Sequence, residues 1–393
     1  MLTQARALAR TTVTPPSPPV RPELTRLDQG NLTWADFDGR RVRNFLSSNY
    51  LGMSVEPSVV DAAVAATLSY GTGVSGSRVT CGSLGVHEAL EQELAEAFET
   101  SALLFTTGYA ANLGVLGALA SYGDTVVVDA HCHASVFDGV QLSGGQVATF
   151  RHDDPDDLAT QLRTRGPVAA VVVCGVYPVL GDVADLVGIG AVARRHGVPL
   201  MVDEAHAFGV LGSGGLGTAE LLRADVAVRT VTFSKALGSL GGAVLGPSEL
   251  VSRLRSSSPV FRNAASPPPA AAAAALAAWR LVRQDPGRPA RVTTGAARVR
   301  AELGDLVVPS SSGVVAVQAP DDRSADRYWE DLVEDGVLGA RYAGRAAPDG
   351  RPVLRFAITA QHDDDDLAAL TRSLRRHHPR SAHGPARQSA TLP

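Results

Sequence analysis

The sequence predicts an α/β fold: a mostly parallel central sheet flanked by helices, followed by a smaller C-terminal α+β domain. Three observations carry this. Short valine-rich apolar runs alternate with helix-length stretches, the order that builds parallel sheets. The runs show little period-two alternation, which suits strands covered on both faces. The chain has 393 residues, 45% hydrophobic and 19% charged, enough for two or three cores of ordinary globular composition. Disorder and fibrous architectures are thereby excluded for most of its length.

The elements follow in order. Residues 14–22 (TPPSPPVRP) are proline-rich and extended, so residues 1–44 are expected to form an arm and linker. A large domain over 45–283 comes next. It opens with a helix at 85–99 (GVHEALEQELAEAFE) and the strand-like ALLF, which turns at 106–112 into another helix. Strands are expected at Thr125–Asp129, Ala169–Cys174, Pro199–Glu204, Val226–Phe233 and Gly242–Leu245, with a helix over 184–196. The stretch 267–281 (PPPAAAAAALAAWRL) opens on prolines and continues as a strong helix former leading towards a second domain. That domain, 284–376, is expected to hold strands at 313–317 and 353–358 and a terminal helix at 363–376. The polar tail 377–393 is expected to be disordered.

Composition excludes several functions. A net charge of −4 offers no basic field for nucleic acid. Cys81, Cys132 and Cys174 are scattered, odd in number and without a CxxC, against a disulfide framework or zinc ribbon and in keeping with a reducing, cytoplasmic compartment. No run approaches the roughly 18 to 20 apolar residues of a membrane span, and no apolar region follows Arg6 and Arg10 to make a signal peptide.

One residue stands apart. Lysine and arginine total 36, and Lys235 is the sole lysine. On a surface, arginine replaces lysine at little cost. The survivor therefore belongs where a guanidinium cannot serve, and forming a Schiff base is such a place. Around it, polar groups gather at strand ends: His133 after the strand ending at Asp129, Asp203 and His206 after PLMV, and Thr232, Ser234 and Lys235 after VAVRTVTF. Ligands of open α/β sheets bind at the carboxyl ends of strands. The turn Thr106–Asn112 into a helix is suited to phosphate, while GTGVSG at 71–76 and GSLGG at 238–242 allow close backbone approach. Neither GxGxxG after a first strand nor GxxxxGK[ST] occurs, which disfavours dinucleotide and P-loop sites. His131 and His133 can share one face of an extended segment, but no further ligands with metal spacing accompany them, and no metal is expected.

Read together, Asn49-Tyr50-Leu51-Gly52, Ser75-Gly76-Ser77-Arg78, His87, Thr107–Asn112, His133-Ala134-Ser135, Val202–His206 and Thr232–Gly238 occur in an order that resembles the α-oxoamine synthases. These are fold-type I transferases dependent on pyridoxal 5'-phosphate, and the resemblance covers about residues 40 to 375. It implies a decarboxylative condensation of an amino acid, L-alanine foremost, with an acyl thioester of pimeloyl type carried by coenzyme A or a carrier protein. By that resemblance Lys235 holds the cofactor covalently and moves protons at the amino acid's Cα. Asp203 meets the pyridine nitrogen, His206 the phenolic oxygen, and His133 the ring face. Gly108, Tyr109, Thr232 and Ser234 hold the phosphate, and Arg355 clamps the substrate carboxylate, with Ser48 and Ser75 on the substrate side. The resemblance also implies a homodimer with a shared active site.

The chain departs from the family pattern at several positions. Pro178 replaces a serine that binds the phenolic oxygen, and proline offers neither hydroxyl nor N–H. Cys174 replaces a more polar residue, Ser48 an asparagine, and Gly344–Pro348 a proline-rich block. Phe261-Arg262-Asn263-Ala264 replaces a block whose hydroxyls reach the partner's phosphate, a role open to Arg262. Three readings therefore stand beside the main one: a synthase specialised for another amino acid or a carrier-bound acyl group, an aminotransferase or aldolase on the same fold, and a homologue that only binds.

Overall fold

The computed structural model of the protein describes residues 33–378. The proline-rich stretch 14–22 and the tail beyond 378 lie outside the described residues; His377, assigned to the tail, instead closes the last helix, Asp364–His377.

Among the described residues thirteen strands are formed: β1 (Trp34–Phe37), β2 (Arg40–Asn44), β3 (Ser101–Phe105), β4 (Thr125–Asp129), β5 (Gln146–Phe150), β6 (Val168–Cys174), β7 (Leu200–Asp203), β8 (Val228–Thr232), β9 (Gly242–Gly246), β10 (Val314–Gln318), β11 (Val337–Leu338), β12 (Ala340–Tyr342) and β13 (Val353–Ala357). The central sheet has the order β3-β9-β8-β7-β6-β4-β5. Its pairs are parallel except for those of β9, which runs antiparallel to both neighbours. Every residue of β7 and β9 is buried, so their unbroken apolar runs reflect helices on both faces. On one face α3 (Gly108–Leu119) and α4 (Ala134–Leu142) close a core around β4, β6 and β7. On the other, α1 (Pro57–Tyr70), α2 (Gly85–Ala97) and the helix Pro269–Gln284 enclose an aromatic cluster in which Phe208 stacks on Trp279 with ring centroids 5.0 Å apart.

Two smaller sheets accompany the C-terminal elements. In one, β13 lies between β10 and β12, all antiparallel. The other corrects the expected arm. Residues 34–44 fold into the hairpin β1–β2, and β2 pairs in parallel with β11. Its turn is Asp38-Gly39, both at positive φ (51° and 74°), the geometry that matches the twist of a two-residue hairpin. Ala35 and Val42 are buried beneath it, which anchors the hairpin to the C-terminal part of the chain. Among the described residues no helix is long and apolar enough to cross a membrane.

Candidate functional site

The carboxyl ends of β4, β6, β7 and β8 converge on a cavity of about 220 Å³. Gly108, Tyr109, His133, Asp203, His206, Thr232, Ser234 and Lys235, all expected from the sequence, line it together, with Cys174 and Pro178 in the same wall. Each reaches it for a local reason. His133 is the N-cap of α4, and its Nδ1 lies 2.7 Å from the Ser135 hydroxyl. Asp203 is the last residue of β7, and Lys235 follows the end of β8 by three residues.

One end of the cavity is built for an anion. Thr107 caps α3 by accepting from the Ala110 N–H at 3.0 Å, which leaves the first N–H groups of a twelve-residue helix facing the site. The Thr232 and Ser234 hydroxyls lie 2.9 Å apart beside it. A Cβ at position 108 would come 2.8 Å from the Thr232 Cβ, and one at 242 would come 2.6 Å from the Gly108 nitrogen. Glycine at both positions brings the helix end onto β8 and β9.

The other end is acidic and basic by turns. Asp203 accepts from Asn112 Nδ2 at 2.8 Å and from the Ala205 N–H at 2.9 Å. Asn112 also donates to the Ser135 hydroxyl at 2.8 Å and accepts from the Thr230 hydroxyl at 2.7 Å, so it holds the carboxylate in one orientation. Lys235 forms no hydrogen bond among the described residues. Burial lowers its amine below the usual lysine range; the Asp203 charge opposes this and that of Arg355 reinforces it. Burial lowers His133 too. His206 is driven well below the usual histidine range by burial, then by the Lys235 and Arg355 charges.

Arg355 approaches His206 from β13. Its neighbours across the strands are Ala316 and Ala340, small enough to leave that face to a guanidinium. Nη2 is 3.3 Å from the Ser48 hydroxyl, 3.3 Å from the Tyr50 hydroxyl and 3.5 Å from His206 Nδ1. Arg355 is 5% exposed, its Nε is unbonded, and it has no carboxylate partner among the described residues. A buried cation without an acid is costly, so the arrangement suits an incoming carboxylate.

Two expected residues lie elsewhere. Ser75 is exposed, at a positive φ of 51°, and does not line the cavity. Arg262 is also exposed, and Nη1 donates to the Arg255 carbonyl at 3.4 Å. His131 and His133 do not share a site. His133 lines the cavity, whereas His131 stacks on His152 with centroids 3.8 Å apart. Among the described residues no group of three or more His, Cys, Asp or Glu could hold a metal.

A second polar cluster adjoins the cavity wall. His152 Nδ1 is 3.0 Å from Asp129 and Nε2 is 2.7 Å from Asp182. Tyr177 donates to Asp129 at 2.7 Å, and the His131 and Asp153 N–H groups each donate to it at 2.8 Å. Burial alone would lower His152; the two carboxylates overcome it and raise the pKa to about 10. Sequence reasoning missed this cluster and the supports Asn112 and Tyr50. The last two stand in blocks singled out for other reasons, but their partners are distant in sequence.

The donor set fits pyridoxal phosphate: a helix end and two hydroxyls for the phosphate, a carboxylate for the ring nitrogen, an imidazole for the ring face and, for the aldehyde, a half-buried amine unpartnered among the described residues. Comparison with known proteins agrees. A family model described as "Aminotransferase class I and II" matches residues 40–374. A serine palmitoyltransferase of Caulobacter vibrioides is 40% identical over 345 residues, covering 86% of this chain and 85% of that protein. An 8-amino-7-oxononanoate synthase of Symbiobacterium thermophilum is 36% identical over 339 residues, covering 84% and 86%. A solved serine palmitoyltransferase from S. paucimobilis, with pyridoxal phosphate and myriocin bound, superposes with a TM-score of 0.87 at 30% identity, covering 90% and 92%.

Proposed function

The chain belongs to the aminotransferase class I and II family, as a pyridoxal-phosphate-dependent enzyme of the α-oxoamine synthase type, and from that premise we propose that it joins L-alanine to a pimeloyl-type acyl thioester. The products are an α-amino ketone, carbon dioxide and the free thiol, so atoms balance without any oxidant. The observation that carries the amino-acid side of this reading is Arg355: buried, free of any acid among the described residues, and 3.5 Å from His206. A carboxylate there would accept from the guanidinium and from the Ser48 hydroxyl.

Bound pyridoxal phosphate supplies an electron sink for negative charge at the amino acid's Cα. The protein supplies the rest. Asp203, fixed by Asn112, would face the ring nitrogen. His133 would cover the ring face, and Gly108, Tyr109, Thr232 and Ser234 would hold the phosphate. Lys235, whose amine burial holds below the usual lysine range, would be the residue that holds the cofactor and moves a proton at the amino acid's Cα. His206 would donate at the phenolic oxygen; Pro178, in the same wall, has no donor to offer. Ser75 and Arg262 are assigned to the cavity of a second copy in a homodimer, a reading supported by their exposure away from their own.

A second reading replaces alanine by serine and the pimeloyl group by palmitoyl, and the Caulobacter relative favours it. The 8-amino-7-oxononanoate reading carries a role in biotin synthesis; the serine reading does not. The test is thiol release from the cofactor-loaded protein, with L-alanine and pimeloyl-coenzyme A in one arm and L-serine and palmitoyl-coenzyme A in the other. Release requiring both components of the first arm supports the proposal; release only in the second moves the assignment to serine. No release in either arm, with either acyl group also presented on a carrier protein, would sink both.

A further inference from the structure

We infer that Tyr50 is a positioning residue that fixes the tautomer of His206 and couples it to the carboxylate clamp Arg355. The inference rests on the proposed placement of His206 at the cofactor's phenolic oxygen. It begins with three atoms that are 1 to 8% exposed as residues: the Tyr50 hydroxyl lies 2.8 Å from His206 Nδ1, and Arg355 Nη2 lies 3.3 Å from that hydroxyl and 3.5 Å from Nδ1.

Counting donors favours one arrangement. Arginine has only donors. If Nδ1 carried the ring proton, it would face the Arg355 N–H, donor against donor, and the Tyr50 proton would have to turn to the Ser48 hydroxyl, which already accepts from Arg355. If Nδ1 is bare, every proton is used: Arg355 donates to the Tyr50 oxygen, and the Tyr50 O–H donates to Nδ1. A neutral ring with a bare Nδ1 carries its proton on Nε2. Nε2 has no partner among the described residues, and His206 lines the cavity, so the remaining donor is free for a ligand. The charges around the ring, Lys235, Arg355 and His133, all disfavour a second proton on it.

The arrangement matters more here than in a site with two donors, because Pro178 contributes none. A carboxylate drawn to Arg355 would pull Nη2 from Tyr50, and the change would pass through the tyrosine hydroxyl to Nδ1. Substrate capture would thus be felt at the cofactor's oxygen without contact between the two.

The experiment uses the cofactor-loaded protein labelled with ¹⁵N-histidine, with His206 assigned by the resonance lost in His206→Asn. The wild type should give the Nε2–H tautomer, and propionate, a carboxylate without an amine, should move the Nδ1 resonance. Tyr50→Phe should mix the tautomers, abolish the propionate response, and shift the pH midpoint of the lysine-bound cofactor's absorbance by about one unit, the size of one neutral hydrogen bond. If Tyr50→Phe does not fold, incorporated 3-fluorotyrosine, a stronger donor of equal size, should move the Nδ1 resonance by itself. Unchanged His206 shifts in either protein would overturn the inference. No acyl donor is used, so an error in the proposed thioester leaves the outcome untouched; a protein that binds no cofactor would instead refute the functional reading.

Discussion

His152 and His206 both follow strands of the central sheet, β5 and β7, and both are set among polar groups at its carboxyl edge, yet their protonation is driven in opposite directions. His152 has a carboxylate on each ring nitrogen and is raised to about 10. His206 has a phenol and a guanidinium on one nitrogen, an open cavity at the other, and is lowered. Burial pushes both down; the sign of the neighbours decides. The saturated ring is the centre of a clamp, to which Tyr177, Asp129 and one oxygen of Asp182 are committed, the other Asp182 oxygen having no partner among the described residues. The unsaturated one keeps a donor, an amine and a guanidinium unspent, as a site awaiting a ligand must.

The comparison breaks most completely at Lys235. Lys235→Ala should remove the covalent cofactor absorbance and lower thiol release by at least about 10³-fold, since the chain has no other lysine to form the bond. Persistent absorbance of the lysine-bound form would end this assignment. Its fold should survive, because the side chain bonds to nothing among the described residues.

The saturated cluster should answer in stability instead. Its ring has a folded pKa near 10 against an unfolded value of 6.5, so the stability it adds is complete below about pH 6.5 and is lost as pH rises towards 10. Urea unfolding between pH 7 and 9 should show a decline of at most about 1.4 kcal/mol per pH unit. His152→Gln should flatten that slope and cost on the order of 3 kcal/mol at pH 7, because it leaves the buried Asp129 without its cation. An unaltered slope in the variant would show that another group titrates.

The smallest effect sharpens the boundary of the clamp. Asp349 reaches His131 Nε2 at 3.1 Å, but its side chain is 68% exposed. Asp349→Asn should therefore change the unfolding free energy measured in urea by no more than about 0.5 kcal/mol. A loss several times larger would mean that the loop 344–350 belongs to the clamp.

How much of this could be read along the chain depended on distance. The buried strands were legible because a strand covered on both faces is written as consecutive valines, as in Thr125–Asp129 and Val168–Cys174. The β1–β2 hairpin was missed: Asp38-Gly39 between Phe37 and the Val42 strand is its local signal, but the prolines before it drew residues 1–44 together into an arm. Asn112 with Asp203 and Tyr50 with His206 were not legible as pairs: 91 and 156 residues separate them.

The sequence by itself determined which chemistry is available. One lysine in a chain of arginines, and acid, imidazole and hydroxyl groups at strand ends, follow from residue identity and short-range pattern alone. Only the tertiary structure decided which groups are spent and which are free. Whether a histidine is charged depends on the sign of what is packed against it, and packing brings together residues from remote parts of the chain. His152 meets two acids there, and His206 meets none among the described residues.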